Sequence, residues 1–182
     1  MQKAADSIVE LTRAYHFAAS RHVAQRRKGM AAEPYMNHLT EVAELVAEAS
    51  GGDVGCVIAA VLHDTVEDTT ATLADIAAMF GADVAALVGE VTDDKSLAKQ
   101  VRKDLQIEHA PHASARAKLI KMADKISNLR SLASSPPADW NAERLAEYCR
   151  WSARVVDGCR SAHDGLAQNF DEAHRRAVTG AA

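Results

Sequence analysis

The sequence predicts an all-α protein, and three observations support this fold class. Apolar residues make up 48% of the chain, aromatic residues only 4%, and alanine is abundant. This composition favours closely packed helices over a β-sandwich, which would need more β-branched and aromatic residues. Helical periodicity recurs along the whole chain, without a series of alternating strand patterns. We therefore expect the 182 residues to form one helical domain, 1–182.

In the first half of the chain, the spacing of apolar residues predicts four helices. The first is expected over about 4–25, with Gly29 as a C-terminal stop. The second is expected over 37–50, and the third, strongly apolar helix over 53–67. Thr72 opens a capping box and predicts the start of the fourth helix.

The second half is also predicted to be helical. Asp83 is expected to cap a fifth helix, and the charged segment 93–109 to form another. Ser114 marks the start of the next helix, which the stretch S-S-P-P-A-D interrupts. A long helix is expected over about 140–163, with room for a further helical stretch after it.

The charge, the cysteines and the N-terminus of the sequence indicate which partners and which compartment to expect. The net charge of −4 gives no reason to expect a nucleic-acid partner. The three cysteines form no CxxC pair, which indicates reduced thiols in a cytoplasmic protein. The N-terminus lacks a signal-peptide pattern, and no apolar run is long enough to span a bilayer. We expect a cytoplasmic protein without a membrane partner, whose alanine-rich helices would allow a homodimer.

The third predicted helix carries an unusual group of polar residues. An apolar run, I-A-A-V-L, leads directly into His63 and Asp64, and Glu67 and Asp68 follow. At a spacing of four residues, such side chains project to neighbouring positions on one side of a helix. Three crowded carboxylates would repel one another unless a cation lay between them. This pattern predicts a metal site.

Two other helices can contribute to the same site. His38 begins the second predicted helix, and Asp124 with Asn128 follows the apolar run L-I-K-M-A. Three helices thus each bring a polar group to an apolar stretch, which is how metal sites are built inside helical bundles. Imidazole and carboxylate ligands together suit Mn, Fe or Zn better than Ca.

Each of these residues also has an ordinary interpretation when taken alone. A His-Asp pair is common on helices, and Glu67 with Asp68 could be a solvated helix end. Asp124 could pair with Lys121 or Lys125, and His38 could be a capping group. The prediction depends on the ordered set of residues, which is much more specific than its parts.

The ordered set resembles the HD superfamily of metal-dependent phosphohydrolases. A closer resemblance is to the hydrolase domain of the RelA/SpoT alarmone enzymes, above all to the stand-alone small alarmone hydrolases. It covers roughly 5–165 and rests on strings that include P-Y-M-N-H, A-A-V-L-H-D-T-V-E-D-T, V-T-D-D-K, A-K-L-I-K-M-A-D-K-I-S-N-L-R and E-Y-C-R-W.

The resemblance implies a buried metal site and a hydrolytic activity. The implied reaction is Mn²⁺-dependent hydrolysis of the 3′-diphosphate of (p)ppGpp to GDP or GTP plus pyrophosphate, with one ion per chain. The implied metal ligands are His38, His63, Asp64 and Asp124. Glu67 and Asp68 would be the catalytic acidic pair, and Asn128 would position the attacking water. The residue chemistry agrees, because a metal acidifies its bound water and a carboxylate can accept the proton.

The resemblance also implies five residues that bind the nucleotide. Arg27 and Lys28 would line the nucleotide site, Lys99 would approach phosphate, and Arg144 and Tyr148 would contact the nucleotide. Arginine suits bidentate contacts with phosphate. Each of these cations could equally be an ordinary surface charge.

The sequence departs from the family pattern at two places. Leu39 follows His38 where the family usually has proline, and the loop M-A-A-E replaces a glycine-rich version. Because this loop is next to the expected base site, base selectivity is less secure than metal binding. The resemblance also implies the main alternative activity, that of an NADPH 2′-phosphatase, because the animal members of this group are associated with it. A metal-free nucleotide-binding protein is a further alternative. Alarmone synthesis is not expected, because no second domain of that kind is present.

Overall fold

The computed structural model describes residues 2–180, and Met1, Ala181 and Ala182 of the predicted domain lie outside that range. The described residues form ten α-helices and two short 3₁₀ helices, without a β-strand, so the all-α prediction is confirmed. The α-helices are α1 (Gln2–Arg21), α2 (Met36–Ala49), α3 (Val54–Leu62), α4 (Thr65–Asp68), α5 (Leu73–Phe80), α6 (Ala82–Val91), α7 (Lys99–His109), α8 (Ala115–Ser134), α9 (Ala142–Asp157) and α10 (Asp164–Gly180). The 3₁₀ helices are Ala110–His112 and Arg160–Ala162. Within this range, no helix combines the length and apolarity needed to cross a membrane.

Helices α2, α3 and α8 form the centre of the bundle. Helix α2 packs against both α3 and α8, and α8 also packs against α6, α9 and α10. Residues 56–62 of α3 are all buried, which explains why this helix is apolar on every side. Burying one large aliphatic side chain stabilises a fold by roughly 1.5–3 kcal/mol. Burial of these apolar residues therefore stabilises the packing of the three helices that carry His38, His63 and Asp124.

The predicted third helix is in fact two helices, with His63 and Asp64 between them. The Nδ1 atom of His63 lies 2.8 Å from the carbonyl oxygen of Ala60. In a continuous helix, the amide of Asp64 would bond that carbonyl. Because the imidazole competes for the acceptor, the regular helix ends at Leu62. The prediction of one helix over 53–67 was therefore wrong at the point where the functional residues begin.

Helix α1 ends at Arg21, and Gly29 is not its C-terminal stop. Gly29 lies in the loop before α2, where the loop approaches the end of α8. A Cβ atom on Gly29 would lie only 2.1 Å from the carbonyl oxygen of Ser135. The amide of Ala31 also donates to the Ser135 hydroxyl at 2.9 Å. Glycine is therefore needed here for the close approach that fixes the basic loop on α8.

The predicted capping residues are confirmed in two of three cases. Thr72 and Asp75 form a complete capping box at the start of α5. The Ser114 side chain accepts from the amide of Ala117 at the start of α8. Asp83 does not cap α6, which begins at Ala82, because its carboxylate forms an ion pair with Arg116 at 2.6 Å instead.

Two predicted helices differ in their boundaries. Helix α7 begins at Lys99 and not at 93, because 92–98 forms a loop in which the Asp94 side chain accepts from the amide of Ser96. The helix predicted over 140–163 ends at Asp157, and the expected further stretch is α10. Helix α10 packs along α8 and also contacts α9 and α2.

Candidate metal centre and substrate cleft

The four predicted metal ligands lie together at the centre of the bundle. His38 comes from the first turn of α2, His63 and Asp64 from the α3–α4 junction, and Asp124 from the middle of α8. The Nε2 atom of His38 lies 3.6 Å from Asp64 Oδ2 and 3.4 Å from Asp124 Oδ1. The Nε2 atom of His63 lies 3.1 Å and 4.0 Å from the same two oxygens. Four potential ligand atoms therefore surround one small volume.

The two imidazoles present buried nitrogen atoms without a hydrogen-bond partner. Among the described residues, Nε2 of both His38 and His63 is fully buried and forms no hydrogen bond of acceptable geometry. The neighbouring carboxylate oxygens are close, but the nitrogens do not point along hydrogen bonds to them. A buried polar atom without a partner is costly. Convergence of these atoms on one volume is what a bound cation requires.

The other nitrogen of each ring determines which tautomer can bind a metal. His63 Nδ1 must donate to the Ala60 carbonyl, because a carbonyl oxygen only accepts. His38 Nδ1 lies 2.9 Å from Ser127 Oγ, and that hydroxyl donates to Glu41 at 2.6 Å. Ser127 has already used its single proton, so it accepts from His38. In both rings the proton therefore lies on Nδ1, which leaves Nε2 available as a ligand.

The charges of the cluster are strongly coupled. Burial lowers the pKa of His63, but the carboxylates of Asp64 and Asp124, together with the bond to the Ala60 carbonyl, outweigh this effect and raise the pKa to about 9. Burial acts in the opposite sense on Asp64, yet the imidazoles of His63 and His38 hold its pKa well below the usual range. The buried site therefore favours two ionised carboxylates together with positive charge between them. A divalent cation would supply that charge and displace the imidazole proton.

The residues of the cluster fit a divalent metal. Two imidazole nitrogens and two carboxylates are a mixed N/O ligand set, suited to first-row divalent ions. Tyr35 donates to Asp64 Oδ2 at 2.5 Å, and Lys125 donates to Asp124 Oδ2 at 2.7 Å. Such outer contacts orient carboxylate ligands. Leu39, the departure from the family pattern, is fully buried in the core and leaves His38 in the cluster.

The acidic pair, Glu67 and Asp68, is on α4, next to the four predicted ligands. Glu67 accepts from the amide of Asp93 at 3.2 Å, and Asp68 accepts from Lys95 and from Gln25. Burial and the nearby Asp64 carboxylate raise the pKa of Glu67 to about 7. A carboxylate with this pKa can both accept and donate a proton near neutral pH.

Asn128 contacts both a predicted metal ligand and the basic loop. Its amide donates to Asp124 Oδ1 at 2.6 Å, and its side-chain oxygen accepts from Arg27 at 3.3 Å. Arg27 also donates to Ser127 and Ser131 on α8 at 3.3 Å. Asn128 therefore orients a predicted metal ligand and simultaneously connects it to the basic loop.

Next to the cluster is an open cavity of about 490 Å³, referred to below as the cleft. Its wall includes two of the predicted metal ligands, Asp64 and Asp124, and also the acidic pair, Glu67 and Asp68. A volume of this size is typical of a small-molecule site. The carboxylates of Asp64, Glu67, Asp68 and Asp124 are therefore accessible from the cleft.

A second cavity of about 210 Å³, referred to as the annex, adjoins the cleft. The two cavities share part of their walls. The shared residues are Lys28, Asp93, Arg102, Gln106, Trp140, Tyr148 and Trp151. The annex adds the cations Lys99, Lys103 and Arg144. The joined cavities thus have an acidic end at the cluster and a basic, aromatic end at the annex.

All five predicted nucleotide-binding residues line these cavities. Arg27 lines the cleft, Lys28 and Tyr148 line both cavities, and Lys99 and Arg144 line the annex. Arg144 lies over the Trp140 ring at 4.6 Å. Burial, followed by the nearby cations Lys103, Arg144 and Lys28, lowers the pKa of Lys99. Crowded cations of this kind are suited to binding an anion.

Several residues of the site were missed by sequence reasoning. Tyr35 lies within the quoted string P-Y-M-N-H and could have been found there. Lys95 lies in V-T-D-D-K, while Arg102 shares one face of α7 with Lys99, Lys103 and Gln106. Trp151 lies in the quoted string E-Y-C-R-W and could also have been found there. Trp140 gave no local signal, because aromatic residues more often belong to the core.

Comparisons with known proteins agree with this geometry. The family model described as "HD domain" matches residues 14–150. Guanosine-3′,5′-bis(diphosphate) 3′-pyrophosphohydrolase MESH1 of Drosophila melanogaster is 48% identical over 161 residues, covering 88% of this chain and 90% of that protein. MESH1 of Homo sapiens is 47% identical over 160 residues, covering 87% and 89%.

A solved structure gives the same result. It is described by the words "A metazoan ortholog of SpoT hydrolyzes ppGpp and plays a role in starvation responses" and has a TM-score of 0.89 with 46% sequence identity. The match covers 93% of this chain and 96% of that one. Fold, cluster and sequence therefore agree: the chain belongs to the HD-domain family and, within it, to the group that contains the animal MESH1 hydrolases.

Proposed function

We propose that this protein hydrolyses the 3′-diphosphate of (p)ppGpp to GDP or GTP and pyrophosphate. The observation that carries the proposal is the pair of unpartnered Nε2 atoms of His38 and His63, facing two carboxylates beside an open cleft. The relatives named as guanosine-3′,5′-bis(diphosphate) 3′-pyrophosphohydrolases support the same substrate.

His38, His63, Asp64 and Asp124 would hold one Mn²⁺ ion. The mixed nitrogen and oxygen ligand set supports this choice, and it would also accept other first-row divalent ions. When bound, such an ion lowers the pKa of water and polarises phosphorus. Lys125 would keep Asp124 Oδ2 occupied, so that Oδ1 faces the ion. Tyr35 would orient the Asp64 carboxylate by donating to Oδ2, the oxygen that lies next to the two imidazoles.

Glu67 would act as the proton-transferring residue. It lies at the rim of the cluster, and its pKa of about 7 allows it to take a proton from the attacking water. The water oxygen bonds to the phosphorus attached to the 3′ oxygen, the 3′ O–P bond breaks, and a proton is returned to the 3′ oxygen. Asp68, held by Lys95 and Gln25, would complete the acidic pair.

The annex would bind the rest of the nucleotide. Its cations would contact the 5′-phosphates, with Lys99 and Arg144 in this role and Arg27 and Lys28 at its entrance. Tyr148 and its neighbour Trp140, whose ring centres lie 5.6 Å apart, would supply apolar surface for the base or ribose. Asn128 would position the water through Asp124.

One feature favours an alternative substrate, NADPH, with removal of its 2′-phosphate. The annex extends the cleft and combines cations with aromatic rings, so it suits an adenosine diphosphate moiety as well as guanosine phosphates. Both substrates place phosphate on the ribose next to a purine base. The geometry of the cluster would serve either reaction.

The test is a side-by-side assay of metal-reconstituted protein with ppGpp and with NADPH. The proposal predicts equal amounts of GDP and pyrophosphate from ppGpp, at a higher kcat/KM than phosphate release from NADPH. A higher kcat/KM for NADPH than for ppGpp would show that NADPH is the preferred substrate and would contradict the proposal. Turnover of neither would contradict both, and would favour a nucleotide-binding protein on this scaffold.

A further inference from the structure

Arg102, on α7, has a guanidinium group that forms no hydrogen bond with the residues that the structure describes. Its Nη1 atom lies 3.6 Å from Glu67 Oε1, which is an ion-pair distance but too long for a hydrogen bond. Its Nε atom is buried and has no partner within residues 2–180. A guanidinium has five N–H donors, and a buried donor without a partner costs free energy. If Arg102 served only to neutralise Glu67, a close bidentate pair would be expected.

The other cations at this end of the cleft already have partners. Arg27 donates to three acceptors on α8, at 3.3 Å each. Lys125 donates to Asp124 at 2.7 Å, and Lys95 donates to Asp68. These three side chains hold the site together. Arg102 is the partly buried cation beside the acidic pair that retains unused donors for a ligand.

The position of Arg102 connects the two cavities. It shares a face of α7 with Lys99 and Lys103, but those lysines line only the annex, while Arg102 also lines the cleft. It therefore lies between the acidic pair and the crowded cations of the annex. An anion extending from the metal cluster towards the annex would meet its free N–H groups.

We propose that Arg102 is a catalytic residue that binds the diphosphate transferred to water, so that the site prefers a diphosphate to a single phosphate. This inference rests on the proposed function. As the new bond from the water oxygen to phosphorus forms and the 3′ O–P bond breaks, the electron pair of that bond goes to the 3′ oxygen, while the transferred diphosphate carries negative charge on its non-bridging oxygens throughout. A guanidinium can hold two such oxygens at once and neutralise part of that charge. Glu67 loses its ion pair when the diphosphate binds.

The first experiment measures binding of inorganic pyrophosphate to the Mn²⁺-loaded protein by calorimetry, at constant free Mn²⁺. Arg102→Gln should weaken pyrophosphate binding about 10- to 100-fold, as expected for loss of hydrogen bonds to a charged group. Arg102→Lys keeps the positive charge but not the two parallel N–H donors of the guanidinium, so its pyrophosphate affinity should lie between those of the wild type and Arg102→Gln. Arg154→Gln, an exposed arginine outside both cavities, is the matched control and should bind like the wild type. Mn²⁺ affinity should be unchanged in all three variants.

The second experiment measures turnover. Arg102→Gln should lower kcat for ppGpp by about 100-fold, and should lower phosphate release from NADPH much less. Wild-type affinity for pyrophosphate in Arg102→Gln, absence of pyrophosphate binding by the wild type, or loss of Mn²⁺ affinity together with pyrophosphate affinity would overturn the assignment. If Arg102→Gln does not fold, the same comparison is made with Arg102→Lys.

The two proposals can fail separately. If the wild type does not hydrolyse ppGpp, the proposed function fails. Arg102-dependent binding of pyrophosphate would still support the assignment of Arg102 in that case. If ppGpp is hydrolysed but Arg102→Gln retains pyrophosphate binding and turnover, the function stands and the assignment is wrong.

Discussion

The Oγ atom of Ser127 lies 2.9 Å from Nδ1 of His38, on the side of the imidazole ring opposite the metal cluster. The same hydroxyl donates to Glu41, which in turn forms an ion pair with Arg130 at 2.9 Å. A fully buried serine therefore determines which nitrogen of His38 is free to bind a metal. This relationship connects the sequence string K-I-S-N-L-R to the chemistry of a residue 89 positions away.

Replacing Ser127 with alanine should weaken Mn²⁺ binding about 10-fold or more, because loss of an outer-shell partner typically costs about 10- to 100-fold in metal affinity. The measurement is a competition titration with a metal chelator. Ser134→Ala, on the exposed side of the same helix, is the control and should bind Mn²⁺ like the wild type. Equal affinities for the two variants would show that Ser127 does not orient His38.

Asp64 and Glu67 should have separable roles. Asp64→Ala should lose metal binding and activity together. Because Asp64 is predicted to contact the ion directly, Mn²⁺ affinity should fall by at least about 100-fold, the largest loss that is typical for an outer-shell residue. Glu67→Gln should keep Mn²⁺ affinity and lose most of its turnover, because it removes only the proton acceptor. Metal content and kcat are measured on the same preparations, with the exposed Asp104→Ala as control. Full turnover in either variant would contradict its assigned role.

The raised pKa of Glu67 predicts how stability depends on pH in the metal-stripped protein. Burial, followed by the Asp64 carboxylate, raises its pKa from 4.5 to about 7, so the folded protein binds this proton more tightly than the unfolded chain does. The contribution of Glu67 to the free energy of unfolding is therefore favourable at low pH and is lost as pH rises towards 7 and above. Glu67→Gln has no titrating carboxyl group at this position, so the free energy of unfolding should not fall with rising pH on this account.

Denaturant unfolding at pH 5 and pH 8 checks that prediction. The free energy of unfolding of Glu67→Gln, relative to the wild type, should be higher at pH 8 than at pH 5. Glu108→Gln, at an exposed site on α7, should show no such change. A difference that is constant or that decreases with pH would contradict the pKa shift.

The aromatic wall of the annex should affect binding more than the chemical step. Trp140 lies against Tyr148 and beneath Arg144, in the wall that the annex shares with the cleft. Trp140→Ala should raise KM for the nucleotide about 10-fold and leave kcat within about twofold, because stacking on a base is worth roughly 1–3 kcal/mol. Steady-state kinetics measure both constants. A fall in kcat with an unchanged KM would place Trp140 in the reaction step instead.

The metal cluster was predictable from sequence because of where its residues stand. His63 and Asp64 follow a run of residues that is buried along its whole length, and Asp124 follows another. A polar group at such a position cannot reach water easily and needs a partner. For this reason the sequence pattern predicted a metal site at these residues, and the resemblance to the HD superfamily supplied the full set of four ligands.

The substrate side was only partly predictable, for a physical reason. Arg102 and Trp140 belong to segments that are separate in sequence, and each looks like an ordinary surface or core residue. Their meaning depends on the packing of α7 and α9 around one cavity, which no local pattern encodes. The break at Leu62 was missed for a similar reason, because it depends on one side-chain hydrogen bond from His63 to Ala60.

The central claim is that His38, His63, Asp64 and Asp124 hold one divalent ion on which hydrolysis depends. The most direct measurement is a Mn²⁺ titration of metal-stripped protein, in which bound metal and ppGpp hydrolysis are followed in the same samples. We expect activity to rise in proportion to bound Mn²⁺ and to reach its maximum at one ion per chain. Full activity in the stripped protein, or activity that rises only after a second ion binds, would contradict the claim.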